Sequence, residues 1–493
     1  MSILSVSNAQ NGYFNNVYLV NNSNTVGRSI TKDDSNYVAL SISQDTSGLN
    51  ILNFCRFGYN SNLIYSKNFG EANKNYFAGY PGNIHKTYDG NFIICGSIQD
   101  TIGGYGAVGY LLKVTPNFDT IFLRKFVDTV YNFIGFEQSQ ETNDKGFILC
   151  GSIASGAHNQ CIILIKTDSL GNQIFRKTYT LEGVDDTRDV IQTPDKGYLL
   201  GCYSWNYYSA SYSGDPWVLK LDSLGNLKWS RKLGGTNQDG AAHVALSNDS
   251  NYIVTYAFAY FTEPMSASNL KIEVLKLDNY NNIIWDKQYD TIRQANYPNM
   301  VKVLKNGNII IIGTTYFWDG VSTYANFTSW VLKLKPNGDS IYYRMFYKFN
   351  DEYTNDNTAC DFCINADNSI VICGDVTEAT TYQMIWLVGM DSMGCIQPGC
   401  DPTAGIEEIK PIKEAIRIFP NPATNQTTIA YSQLKEEGTI HIYNLLGQIV
   451  YEEMIAKGSS QTKLSIQNLK AGLYKVIVRE KGMMIGEVSL VKE

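Results

Sequence analysis

Histidine and charge are both scarce in this chain. Of 493 residues 4 are His, and 18% are Asp, Glu, Lys or Arg. A net charge of −7 with a pI near 5.3 excludes the basic stripe that a nucleic-acid binder uses to displace counterions from phosphates. No run of about eighteen apolar residues occurs, so no transmembrane segment is expected. His85, His158, His243 and His441 form neither an HExxH nor any other metal-ligand spacing. A G-x-S-x-G elbow and a P-loop are also missing. The expectation is therefore no catalytic residue, no metal and no cofactor: not an enzyme. What is abundant is aromatic, with 34 Tyr, 21 Phe and 7 Trp, which favours a β-rich fold. The chain is also too long for one ordinary core, so several domains or a repeat array are expected.

A repeat is present. The turn DSLGN occurs at Asp168 and again at Asp222, between the same two apolar runs. Its first position recurs at Gly58, Thr115, Asp278, Lys335 and Asp391, at intervals of 53 to 57 residues, which makes seven units. Seven residues further on lies a large aromatic, Tyr65, Phe122, Phe175, Trp229, Trp285 or Tyr342, in every unit except the seventh. Upstream of the turn a second signal recurs: DGNFIICGS, DKGFILCGS, DKGYLLGCY, NGNIIIIGT and DNSIVICGD. An Asp/Asn-Gly turn feeding a short apolar run marks a hairpin whose second strand is buried on both faces. Each unit thus supplies about four strands, and seven such units predict a β-propeller over residues 10–400. The seventh unit stops at MDSMGC, where its fourth strand should begin, while the N-terminus has a spare strand, GYFNNVYLV. The surplus matches the deficit, and Tyr13 to Val20 are expected beside Trp386 to Met390. Residues 1–9, with Ser-Asn-Ala before Gln10, read as a signal-peptide remnant.

Of the 10 cysteines, Cys95, Cys150, Cys202 and Cys373 sit in the buried second strands as small core residues. Cys360 and Cys363 form a C-x-x-C without a second pair at zinc-ribbon spacing. Cys395 and Cys400, in GCIQPGCDP, are expected to form a local disulfide. Asp185 and Asp186 could serve a glycosidase, but adjacent acids near turns read more simply as solvated surface. The repeat also resembles, in its strand-turn-strand logic alone, those of quinone-cofactor dehydrogenase propellers.

After Cys400 the composition changes. Residues 401–415 read as a Pro/Gly/charged linker, and 416–493 as a small Ig-like β-sandwich of short alternating strands. Pro420 and Pro422 fix a non-helical start, and Gly447 and Gly472 mark turns. Ile418-Phe419-Pro420-Asn421-Pro422, then Ile442-Tyr443-Asn444-Leu445-Leu446-Gly447-Gln448, then Leu469-Lys470-Ala471-Gly472-Leu473-Tyr474 and a terminal VSLVKE closely resemble the type A C-terminal sorting domain of the type 9 secretion system of Bacteroidota. The resemblance implies export through the periplasm by that translocon and its outer-membrane shuttle. It also implies a secreted or surface-attached product, commonly with the domain removed. The propeller resembles bacterial surface propellers only in general, and no active site carries over.

The function expected from sequence is a secreted or surface-attached binding or adhesion protein with a glycan or surface-protein ligand. The alternative is a polysaccharide-degrading enzyme, which should show inward carboxylates converging at one end of the central channel; a binding module should show exposed loop aromatics. The loops between second and third strands of units four to six offer Trp205, Tyr207, Tyr208, Tyr260, Phe261, Phe317 and Trp318 as one patch. The same rings could instead pack on one another to stiffen long loops. A third possibility is O-glycosylation of the DSL, DSI and DTI segments, although their place in turns explains most of them.

Overall fold

The computed structural model describes residues 12–400 and 416–493, less 22, 35, 102–105, 156–159, 182, 206–213, 236–237, 260–269, 290–294, 318–325, 350–355, 378–381, 399, 432, 435, 445–447 and 481–482. The signal-peptide reading of residues 1–9 and the linker reading of 401–415 lie outside the described residues.

The described chain is all strand and turn. Strands between Thr25 and Met390 form seven antiparallel blades in sequence order around a channel, some of them joined to the next by a single parallel pair such as Gln160 with Val184. Blade four is representative: Val184–Gln192 innermost, then Tyr198–Trp205, Gly214–Leu221 and Leu227–Lys232 outermost. The second strands carry the apolar runs, and those of blades three and five, Phe147–Ala154 and Tyr252–Ala259, are buried almost throughout. Flanked by neighbouring blades on both faces, such a strand has no solvated side, hence a continuous apolar run instead of alternation.

Phe14–Tyr18 supplies the outer strand of blade seven. It runs antiparallel to Gln383–Met390, with Phe14 opposite Gly389 and Tyr18 opposite Ile385. Phe14, Val17 and Tyr18 are buried there, the Trp386 indole donates to Asn15 Oδ1 at 2.6 Å, and the Tyr18 hydroxyl donates to the Ser61 carbonyl of blade one. The strand therefore binds first to last blade. Deleting residues 10–22 should lower the melting temperature by roughly 5–10 °C, because three large apolar side chains lose their burial. An unchanged melt, followed by near-UV circular dichroism, would place closure elsewhere.

The recurrence of the turn has a physical cause beyond bending the chain. In all seven units the first turn residue's amide donates to the carbonyl four residues on, as in Asp222 to Asn226 at 2.9 Å and Asp391 to Cys395 at 3.0 Å. Asp222 Oδ1 accepts from the Leu224 and Asn226 amides, both at 2.8 Å. Where the fourth position is glycine, at Gly171, Gly225, Gly338 and Gly394, it lies on the aromatic of the preceding blade. At Gly225, with φ +78°, a Cβ would come within 3.0 Å of the Phe175 ring, and at Gly394 within 2.8 Å of Tyr342. Trp229 and Trp285 donate from their indoles to the next turn, at Asn279 and Pro336 carbonyls, both 3.1 Å. Turn and aromatic thus recur as two halves of one seam between blades, and in blade seven the N-terminal strand supplies the aromatic half, with the Tyr18 hydroxyl on the Ser61 turn.

Residues from Arg417 onward form two further sheets, one of three strands and one of four, over a core that includes Ile429, Ile440, Ile442, Leu464, Val476 and Leu490. This is the small β-sandwich. Cys395 and Cys400 are joined, with Cα atoms 6.0 Å apart. Cys95, Cys150, Cys202 and Cys373 are buried free thiols.

Candidate active site in the propeller channel

The inner strands do not pair evenly with their neighbours. Their registers jump from Gly27 to Ser29, Phe136 to Gln138, Thr187 to Asp189, Pro298 to Met300 and Ala359 to Asp361. The residues passed over, Arg28, Glu137, Arg188, Asn299 and Cys360, are β-bulge residues, a device that re-aims a side chain. In blade two the inner strand is interrupted between Ala78 and His85, and Tyr80 lies in the gap. Arg28, Tyr80, Arg188, Asn299 and Cys360 line one cavity of about 480 Å³ at the channel, and Glu137 adjoins it through Tyr80.

A glycine faces four of the five bulges, the exception being that of Arg28, which Ser41 and Leu40 face. Gly151, beside the jump at Glu137, is so close to the inner strand that a Cβ would stand 2.0 Å from the Gly135 carbonyl oxygen. Gly313 and Gly374 are placed the same way, opposite Asn299 and Cys360, while at Gly201, opposite Arg188, a Cβ would stand 2.5 Å from the Ala242 carbonyl oxygen of the next blade. The residue after a bulge fastens the next blade. Gln138 Oε1 accepts from the Val190 amide at 2.8 Å, Asp189 from Val244 at 2.9 Å, and Asp361 from Ile30 at 3.0 Å. His243 serves the same seam, its Nδ1 lying 3.0 Å from Asp189 Oδ2.

Carboxyl groups converge at this end of the channel. Glu137 Oε2 accepts from the Tyr80 amide at 2.9 Å. Burial first, and then the charge of Asp186, push its carboxyl up to about 7, against the opposing pull of Arg188 and Arg28. Burial also raises Asp186, while Arg188 lowers it; their Oδ2 and guanidinium are 3.2 Å apart. For Arg188, burial opposes the charge, and Asp186, Tyr80 and Glu137 outweigh it to raise the group. Its guanidinium also lies over the Tyr80 ring, 4.3 Å from the centroid. Across the cavity, burial brings Asp375 to about 6, held by the Gln383 amide and by the Cys360 thiol at 3.8 Å. Asp239, buried and raised, is structural: it accepts from the Gly235 and Ala259 amides at 2.7 and 2.5 Å. The chemistry available is that of two neighbouring carboxyls raised by burial, only one of them paired with an arginine, an asymmetry suited to dividing acid and base labour.

Asp185 and Asp186 correct the reading of them as solvated surface. They lie in the inner strand of blade four, whose alternation sends them opposite ways: Asp185 is fully buried and accepts from Ser204 Oγ at 2.5 Å and the Leu181 amide at 2.7 Å, while Asp186 meets Arg188. Of the aromatic patch, Trp205 ends the second strand of blade four, opposite Val184. Phe317 ends a strand of blade six, and its side chain is outside the described residues, as are Tyr207, Tyr208, Tyr260, Phe261 and Trp318. No sequence motif marked Glu137, Arg28 or Arg188; the recurring second-strand glycine was the available signal for Glu137 and Arg188, and blade one lacks it.

In the C-terminal unit the quoted motifs converge on the last strand. Asn421 Nδ2 donates to the Ser489 carbonyl at 2.7 Å, and its Oδ1 accepts from the Val491 amide at 2.8 Å. Thr427 Oγ1 donates to the Pro420 carbonyl at 2.9 Å, and Pro422 precedes Ala423, whose amide donates to the Val491 carbonyl at 2.9 Å. The Tyr474 hydroxyl donates to the Lys470 carbonyl at 2.7 Å, closing the turn that holds Gly472; Gly447 is outside the described residues. Residues 417–488 match the family described as "Secretion system C-terminal sorting domain". They are a type 9 secretion sorting domain. The chain is therefore exported, to the cell surface or beyond, and engages that secretion system.

No curated protein matches the chain in sequence. Among solved structures, a polysaccharide lyase described as an ulvan lyase is 10% identical, with a TM-score of 0.50, covering 80% of this chain and 99% of its own. An α-L-arabinofuranosidase of Fusarium graminearum is 15% identical at TM-score 0.43, covering 64% and 93%. An α-L-arabinanase of Penicillium chrysogenum is 13% identical at 0.40, covering 64% and 93%. At these identities the likeness is one of fold. The expectation that the chain is not an enzyme is nonetheless corrected: a polysaccharide lyase shares this fold at a TM-score of 0.50, and inward carboxyls converge at the channel.

Proposed function

We propose that this exported propeller is a polysaccharide-degrading enzyme whose reaction takes place at the channel end bounded by Tyr80, Glu137, Asp186 and Arg188. The observation that carries the reading is the pair Glu137 and Asp186, brought to the channel by two neighbouring blades and set apart by their partners, the Tyr80 amide for Glu137 and the Arg188 guanidinium for Asp186. In hydrolysis, Glu137 gives its proton to the glycosidic oxygen as the bond to the anomeric carbon breaks, and Asp186, as the carboxylate paired with Arg188, draws a proton from the water that attacks that carbon. Tyr80 positions both partners, through its amide on Glu137 and its ring under Arg188. Trp205 lies toward the same site, since it ends the second strand of blade four opposite Val184 and Tyr203 of that strand lines the cavity.

Incubating the full chain with a panel of plant and algal polysaccharides and measuring reducing ends tests the proposal. Release by the native protein and none by Asp186→Asn is expected. Trp205→Ala should raise KM about tenfold, the loss of one stacking anchor, with little change in melting temperature. Tight binding of a glycan that is never cleaved, in native protein and variant alike, would return the propeller to a purely binding role.

A further inference from the structure

The two channel arginines differ. Arg188 is paired with Asp186 and stacked on Tyr80. Arg28, the bulge residue of blade one, lines the same cavity and is only partly exposed, yet among the described residues it makes no hydrogen bond and no ion pair. Its Nε is buried without a partner. Elsewhere in the propeller arginine is satisfied: Arg56 by Asp33 at 2.6 Å, Arg176 by Asp128 at 2.7 Å, and Arg231 by the Asn281 side chain at 2.6 Å. The acids near Arg28 are engaged by other groups. Asp375 is held by Gln383 and Cys360, and Glu137 Oε2 by the Tyr80 amide. A guanidinium sunk in a cleft with a buried donor unmet is kept only where something else supplies the acceptor. Its planar fork matches two oxygens on one centre, as in a carboxylate or a sulfate ester.

We infer, resting on the enzyme reading above, that Arg28 is the subsite for an acidic sugar and that the substrate is an anionic polysaccharide bearing uronate or sulfate groups. The cleft suits such a chain electrically. Arg28 brings a guanidinium to the cleft, Arg188 faces the Asp186 carboxyl, and burial raises Asp239, Glu137, Asp356 and Asp375, which disfavours negative charge around Arg28.

The test uses the full chain carrying Glu137→Gln, so that polymer is bound without being cut. The probes in titration calorimetry are sodium polygalacturonate and ι-carrageenan, each beside its neutral counterpart, carboxyl-reduced polygalacturonate and desulfated carrageenan. Binding to at least one acidic polymer but not to its neutral counterpart is expected. Adding Arg28→Gln should weaken that binding at least about tenfold and flatten its salt dependence, the loss of charge-assisted hydrogen bonds, while Arg28→Lys restores part of it. Which polymer binds distinguishes carboxylate from sulfate. Equal binding of acidic and neutral polymers, binding of neither acidic polymer, or an Arg28→Gln affinity equal to the parent overturns the inference. Failure of the enzyme reading looks different: Arg28-dependent binding of an acidic polymer that the native protein never cleaves leaves the subsite and removes the enzyme, whereas cleavage of neutral glycans indifferent to Arg28→Gln does the reverse.

Discussion

Replacing Glu137 by Gln is expected to lower the rate of glycan cleavage by about a hundred- to ten-thousand-fold, the range over which a positioned general acid contributes. The amide has the shape of the protonated carboxyl and keeps an acceptor oxygen for the Tyr80 amide, so substrate binding and fold should persist. It cannot release a proton to the leaving oxygen. The pH dependence separates this role from a packing role. Because burial and Asp186 bring the Glu137 carboxyl to about 7, the acid form required for catalysis is present below that value. Native activity should then fall about tenfold for each pH unit above 7, whereas the residual activity of Glu137→Gln should show no such arm. Stability gives a second readout with a definite sign. The folded-state value lies above that of an ordinary carboxyl, so the folded protein holds this proton to higher pH than the unfolded chain does. The contribution is complete below the ordinary carboxyl range and is lost as pH rises toward about 7, and chemical denaturation of Glu137→Gln should lack that decline. A variant with native turnover would remove Glu137 from the mechanism.

The ring was legible in the sequence because the determinants of each blade are local or lie one unit away. Asp222 and Asn226 close a turn within five residues, and Gly225 must fit the Phe175 ring of the preceding unit, so the constraint repeats with the period of the blade. Closure was legible for the same reason, as a strand missing at one end and spare at the other. The site obeys a different rule. Arg28, Tyr80, Glu137 and Arg188 come from four successive blades, one bulge or gap residue each, and no window of sequence contains two of the bulge residues. A bulge residue is freed from pairing, so its identity can vary from unit to unit, and the repeat that revealed the fold hides the chemistry. Asp186 was misread for a related cause: two adjacent acids look like a solvated pair until the strand pleat sends Asp185 into the blade seam and Asp186 to the channel. The glycine of FILCGS, read as part of a buried strand, was the trace of that geometry, since Gly151 has no Cβ because the bulged strand occupies its place.

Removing residues 416–493 is expected to abolish appearance of the protein at the cell surface or in the medium while leaving the propeller folded. The signal is structural: Asn421 clamps both backbone groups of the last strand, and Tyr474 closes the turn at Lys470, so the quoted motifs act together to build one sandwich and all are lost with it. The propeller does not depend on that sandwich for closure. Its ring is completed by Phe14–Tyr18 against Gln383–Met390, and its core clusters draw on propeller residues alone. Where the units touch, Arg479 lies 3.9 Å from Glu273 and over the Phe258 ring, 5.0 Å from its centroid. Deletion leaves Glu273 bonded to Gln288 at 2.6 Å and opens its other oxygen to water, so the lost ion pair is replaced by hydration and no buried unpaired charge remains. The truncated protein should therefore accumulate inside the cell envelope and melt within about 2–4 °C of the propeller transition of the full chain, the shift that 1 kcal/mol represents in a domain of this class. Cell fractionation with immunoblotting, and a melting curve of the purified truncation, measure the two outcomes separately. Truncated protein found outside the cell at native levels would show that the export signal lies elsewhere, and a collapsed melt would show that the sandwich is part of the propeller's folding unit.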